Sequence, residues 1–500
     1  MSGHGKESVG NGRTDMEQHS SEHVSTNLLL AILATGIMAF IGILTETMMN
    51  VLFPELMTEF HIDTSTVQWL TTGYLLVVSL VTPLSSYLKR KLPLRRIFLI
   101  AISLCVVGCV MAAWSLNFPM LLLARILQGA GTGVALPLMF NIILEQSPKS
   151  KIGTLMGVGN LVCAVAPALG PTVGGIVGTF MPWRWIFVLL LMFLIASGLL
   201  GMKTIRQATP NVDAHLNPLH VLCLIVAFIS FIFALEQGGA AITAISKNLP
   251  GAMSQLTRPI ALLVVSVVAL IVFARWSSRS FSPLVRLGVL RSTTFRWHLL
   301  AYVLLQSVTI GFGYMIPNSC QLGYGTTPLL AGVLVLPGAL LGAAVAPISG
   351  SLLDRYGAMR PISIAMVIAP LGTVLMATLV GPTTGVVLIS GCYFLYMLGF
   401  SMCFANTMTS GLSGIAPQLR ADGNALFSTF QQLSGAVGTT VMSVFLGVAQ
   451  AGSDETGTSS FAAATLKGAH WGYVALMIVV IAAMLANIRA FVAAHKENRA

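Results

Sequence analysis

The sequence predicts an all-α polytopic membrane protein with fourteen spanning helices, and three observations carry that prediction. Only 9 % of the 500 residues are charged while 55 % are hydrophobic, too few charges to cover a soluble surface of this size. The apolar residues fall in blocks of about 20, each enough to cross a ~30 Å hydrocarbon core. The basic residues sort by loop, as spanning topology requires.

In order, the blocks read as helices over 27–54, 65–88, 94–115, 117–144, 152–180, 184–203, 217–237, 257–276, 297–319, 327–352, 361–380, 383–408, 422–449 and 468–491. With the N-terminus inside, 22 of the 27 Lys and Arg residues fall on the inner side. Four fall outside (Arg184, Lys247, Arg258 and Lys467), and Arg125 lies within a span. That split predicts an N-in, C-in chain. It also explains the net charge of +11 as a topology signal and excludes a nucleic-acid surface.

Two basic loops match each other: SYLKRKLPLRR at 86–96 and GSLLDRYGAMR at 350–360. Each follows the second helix of a six-helix set if the sets are helices 1–6 and 9–14, which makes helices 7 and 8 an inserted pair. The organisation expected is a cytoplasmic tail at 1–26, a six-helix bundle at 27–205, the inserted pair at 206–278, a second six-helix bundle at 279–492 and a tail at 493–500. Repeated halves are typical of secondary transporters. The first 26 residues are polar, rich in Ser, Gly and His, and predict a disordered tail in place of a cleaved signal.

The seven cysteines lie in apolar spans or at their ends without a CxxC pair, so they read as reduced packing residues. HSSEH at 19–23 matches a zinc-protease pattern but sits in the polar tail, without the packed helix and cleft that chemistry needs. No metal site and no enzyme chemistry are expected. No GxxxxGK[ST] loop occurs, which argues against ATP as the fuel. A channel would carry a filter repeat or rings of charge, and neither is present.

Several motifs then stand in register: LTETMMNVLFP at 44–54, LLLARILQGAGTG at 121–133, GPTVGG at 170–175, WRWIF at 183–187 and GSLLDRYG at 350–357. In these helices and this order they resemble the major facilitator superfamily, specifically its fourteen-helix drug:proton antiporters. GSLLDRYG (Gly350, Asp354, Arg355, Gly357) is similar to the loop between second and third helices. Arg125, Gln128, Gly129 and Gly133 are similar to the fourth-helix motif, and Gly170, Pro171, Gly174 and Gly175 to the fifth-helix motif of antiporters. There are departures. Arg90 stands where Asp354 stands in the second half, Pro93 replaces a glycine, and Met359 precedes Arg360 at a position that is usually basic. Thr45 occupies a position that is often Asp, with Glu46 beside it.

Gly170, Gly174 and Gly178 recur every four residues and so share one helix face, a spacing that lets two backbones approach in lipid. Pro171 bends that helix. On spacing alone this is either a static seam or a sliding one; the resemblance implies a moving interface between the halves.

Glu46 and Arg125 each lie about 8 residues from the predicted outer ends of their helices, hence ~12 Å deep. A buried ionisable group in a span costs at least ~2.5–3.5 kcal/mol and marks a functional candidate. Glu46 is the expected proton site. Burial and a neighbouring guanidinium act on it in opposite directions, and Arg125 keeps its own proton throughout. Asn50 and Gln128 lie one turn from them on the same faces. Asn318, Asn406 and Gln432 are further cavity candidates that either line the path or bond between helices, as do Asn141 and Gln306. Glu236 is expected at the hydrated outer end of helix 7.

The expected function is therefore export of lipophilic, often cationic, drugs or toxic small molecules by exchange for protons. A dedicated exporter of one amino acid, siderophore or lipid-like metabolite is the alternative. No cofactor is expected beyond the proton motive force. The expected partners are a small-molecule substrate, protons and membrane lipids, with the chain acting as a monomer in a bacterial cell membrane.

Overall fold

The computed structural model describes residues 24–148, 151–207, 218–247, 251–279, 286–453 and 458–497. HSSEH, most of the N-terminal tail and residues 498–500 lie outside them.

Among the described residues fourteen helices are long and apolar enough to cross a membrane: α1 (Thr26–Phe60), α2 (Thr64–Lys91), α3 (Leu94–Ala113), α4 (Phe118–Gln146), α5 (Ile152–Phe180), α6 (Arg184–Thr204), α7 (Pro218–Ser246), α8 (Thr257–Arg279), α9 (Thr293–Leu322), α10 (Pro328–Tyr356), α11 (Met359–Leu379), α12 (Val386–Ser413), α13 (Arg420–Gln450) and α14 (Ser459–Glu497). Their ends are written in the sequence. Ser25, Asp63, Asn117, Ser292 and Thr327 cap α1, α2, α4, α9 and α10 with side-chain oxygens that accept backbone N–H bonds. Gly357 ends α10 at φ 78, in the left-handed region that favours glycine.

Three helices run furthest beyond the expected bounds, and two of the differences have a visible cause. α1 continues through Pro54 to Phe60, because a proline bends a packed membrane helix without ending it. α7 continues past Gly238–Gly239 to Ser246; a Cβ on Gly239 would overlap Val444 of α13, so this glycine serves helix contact and does not stop the helix. α14 starts at Ser459, ahead of its apolar block.

Helices α1–α6 pack into one bundle and α9–α14 into another. The two meet along α5–α10, α2–α13 and α1–α9. The α7–α8 hairpin lies outside both, with α7 against α13 and, over a smaller area, α2. A separate apolar cluster joins Tyr74, Leu75 and Val78 of α2 to Ala227, Phe228 and Ile232 of α7 and Leu433 and Ala436 of α13. Lipid-facing surfaces carry large apolar residues, such as Met192, Phe193, Val267 and Val268.

Candidate functional site

By the positive-inside rule the ends bearing the basic loops are the inner ones. On the outer half the bundles are sealed. Thr72 and Thr440 share a hydrogen bond at 3.2 Å, and Thr64 donates to Gln450 at 2.8 Å. Asn318 donates to the Asn50 carbonyl at 3.4 Å and Gln321 to the Val51 carbonyl at 2.8 Å. Across α5–α10 the backbones nearly touch: a Cβ on Gly175 would stand 2.5 Å from the Pro328 oxygen, and one on Gly332 would overlap the Pro171 carbonyl. The conformation is closed outside.

This corrects the expectation for the glycine stripe. Gly170, Gly174 and Gly178 face α1 of their own bundle, against Thr47, Met48 and Leu52, with Gly178 also at ordinary contact distance from Pro328 of α10. The contact between halves is made by the adjoining face, Pro171 and Gly175 against Pro328 and Gly332. Helical periodicity predicts that residues share a face; the partner of that face depends on the fold.

Arg125 is fully buried. Its Nε donates to the Leu70 carbonyl at 3.1 Å, Nη1 to Gln128 Oε1 at 2.7 Å and Nη2 to the Thr45 carbonyl at 3.5 Å. The guanidinium also stands 4.1 Å from the centre of the Tyr74 ring, whose hydroxyl donates to the Gly42 carbonyl at 2.8 Å. Arg125 therefore ties α4 to α1 and α2. Gln128 passes the chain on to Cys109 Sγ of α3 at 3.5 Å.

Glu46 is 7 % exposed and forms neither a hydrogen bond nor an ion pair within 4 Å among the described residues. The structure brings the two residues into one neighbourhood, since Arg125 reaches the carbonyl of Thr45, but it does not join them as a salt bridge. Their helix-end depths are unequal, because α1 extends 14 residues beyond Glu46 and α4 starts 7 residues before Arg125.

Asn50 sits at the seam: its Oδ1 accepts from Thr71, and its Nδ2 donates to the Gly313 carbonyl of α9 at 3.3 Å. Asn406 donates to Ser349 Oγ at 2.7 Å, holding α12 on α10, and Asn141 accepts from Lys89 at 3.2 Å. Asn318, Asn406 and Asn141 thus bond between helices. Gln432 is half-buried on α13 with no hydrogen-bond partner among the described residues. Lys89 pairs with Glu145 in the first half. In the second-half loop Gly350 is half-buried, Asp354 and Arg355 are exposed, and Asp354 makes no ion pair among the described residues. Glu236 lies inside α7, not at its end.

Tyr74, Thr71, Thr72 and Thr440 were not singled out from sequence. Each is an ordinary residue in an apolar span, and only the neighbouring helix makes it polar machinery.

Residues 35–439 match the Major Facilitator Superfamily. Lincomycin resistance protein LmrB of Listeria monocytogenes is 31 % identical over 464 residues, covering 92 % of this chain and 96 % of that protein. The putative multidrug resistance protein MdtD of Citrobacter koseri is 27 % identical over 477 residues, with 93 % and 95 % covered. The fold matches that of a bacterial homologue of the human lysosomal transporter Spinster, solved inward-facing and unoccupied, with a TM-score of 0.63 at 13 % identity over 95 % of this chain and 98 % of that one. Two six-helix bundles meeting along paired seams, a single arginine buried in the fourth helix and a match over most of the length lead to one conclusion: this multi-pass membrane protein belongs to the major facilitator superfamily of transporters.

Proposed function

We propose that the protein is a proton-coupled antiporter that exports lipophilic, often cationic, small molecules from the cell across its plasma membrane. One observation carries the coupling: Glu46 is an unpaired, nearly buried carboxyl beside a guanidinium that is itself held by three other acceptors. Arg125 stays charged and held by three acceptors, so it biases Glu46 without exchanging a proton. Unlike a carboxylate locked in an ion pair, Glu46 is free to take a proton when the cleft opens outward and to release it when the cleft opens inward. Substrate leaves in the first state and binds in the second. The names of LmrB and MdtD support drugs as the cargo.

The driving force is adequate. One charge moving through ~150 mV releases about 3.5 kcal/mol, which sustains a gradient of a few hundred-fold per proton.

The test is efflux of a fluorescent lipophilic cation from proteoliposomes with an imposed pH gradient. Wild type is expected to accelerate efflux when the gradient is applied, and Glu46→Gln to lose that acceleration while still exchanging substrate. Full gradient-driven efflux by Glu46→Gln would sink the proton assignment. Protection of cells against several unrelated dyes and antibiotics supports a multidrug range; a growth defect tied to one metabolite overturns it.

A further inference from the structure

The inserted hairpin touches both halves at the outer seam, and unequally. On the C-terminal side α7 is broadly seated: Gly239 lies against Val444 and Lys247 bonds to the Ala451 carbonyl. Phe228 and Ile232 share an apolar cluster with Leu433 and Ala436 of α13 and with Tyr74, Leu75 and Val78 of α2, the α13 side being the larger contact. On the N-terminal side a polar contact reaches α2 among the described residues. Trp69, at the outer end of α2, donates from Nε1 to Glu236 Oε1 at 2.9 Å and lays its ring 4.9 Å from that of Phe233. The second oxygen of Glu236 is buried without a partner among the described residues. A carboxyl kept within an apolar span at that cost marks a functional position.

We propose that α7–α8 is a clamp seated on the C-terminal bundle, and that Glu236 is a positioning residue which latches Trp69 of the N-terminal bundle and holds the outer gate shut. The gate opens by parting α2 from α13. The hairpin, fixed to α13 over the broader face, moves with it, so its contacts with α2 must part, and the Trp69–Glu236 bond is the directional one among them. The latch then favours the outer-closed state over the outer-open one without touching substrate. This goes beyond the proposed drug–proton exchange and needs only that the two bundles part at the outer side.

The test is hydrogen exchange of the full chain in lipid nanodiscs, read by mass spectrometry on the outer segments 64–78 and 436–450 and the inner segments 79–91 and 420–430. Loss of one hydrogen bond is worth about a tenfold change in the closed-to-open ratio. Trp69→Phe and Glu236→Ala are each expected to raise outer exchange up to about tenfold and to lower inner exchange. The double variant should match the singles, because both break one bond. Glu236→Gln keeps the acceptor oxygen and should stay within about twofold of wild type. Exchange that is unchanged, that rises at both ends together, or that adds in the double variant overturns the latch. The readout uses neither substrate nor a pH gradient, so it stands or falls separately from Glu46.

Discussion

Gly332→Ala is expected to prop the outer gate open. A Cβ at this position overlaps the Pro171 carbonyl oxygen and approaches Thr172 Cα to 3.2 Å. Both are main-chain atoms, so no rotamer change relieves the overlap; α5 and α10 must separate. Overpacking of this kind costs about 1–3 kcal/mol. The cost falls on the outer-closed state alone, since parting the bundles removes the contact. The closed-to-open ratio should therefore drop by about 5- to 150-fold. Gly174→Ala is the control. Its Cβ would meet the Met48 oxygen at 2.7 Å, but Met48 is on α1 of the same bundle. That penalty applies in both conformations and should appear as a lower melting temperature with the ratio unchanged. Both substitutions gain the same helix propensity, so their difference isolates the contact. Hydrogen exchange at 168–180 and 328–338, with a thermal melt of each variant, reads the two effects. The same signature from both variants would refute the assignment of the two glycine faces.

Three further outcomes follow from the site. Arg125→Lys removes the forked geometry that serves Leu70, Gln128 and Thr45 together, and the loss of at least one charge-assisted bond should destabilise the first bundle by ~1.5–3 kcal/mol, read as a thermal shift, with gradient-driven efflux lost as well. Asn50→Ala deletes the bond to Gly313 across the α1–α9 seam and the buried bond from Thr71 within the first bundle; outer-end exchange should rise up to about tenfold from the first loss, and the melting temperature should fall from the second. Asp63 caps α2 outside the spans: burial pushes its carboxyl up, and bonds from Thr66 and Ser65 pull it below the usual carboxylate range, the net direction being down. Its contribution is therefore present above the unfolded value and lost as pH falls through the lowered folded one; Asp63→Ala should cost ~0.5–2 kcal/mol near neutrality and show a shallower loss of melting temperature below pH 4 than wild type.

Much of the site was legible because membranes make polarity conspicuous. Arg125, Glu46 and Asn50 stand out in apolar runs, and all three lie where α1, α2, α4 and α9 converge. Their partners were not legible. The acceptors of Arg125 are two backbone carbonyls and a glutamine, and backbone carbonyls leave no mark in a sequence. Glu236 was misplaced for a related reason: Gly238–Gly239 reads as a helix end until Val444 shows what the missing side chain makes room for.

The chain by itself determined the class, the count of spans and the polarity of the loops, because the bilayer imposes length and hydropathy on each helix separately. It also placed Gly170, Gly174 and Gly178 on one face, since 3.6 residues per turn is a local property. Only the tertiary structure decided that this face meets α1 while its neighbour meets α10, that Glu46 approaches Arg125 without pairing, and that the inserted hairpin lies over the α2–α13 seam. Between membrane helices the hydrophobic effect supplies no preference of partner. The choice falls to close backbone approach and a few hydrogen bonds, and these exist only once distant segments have met.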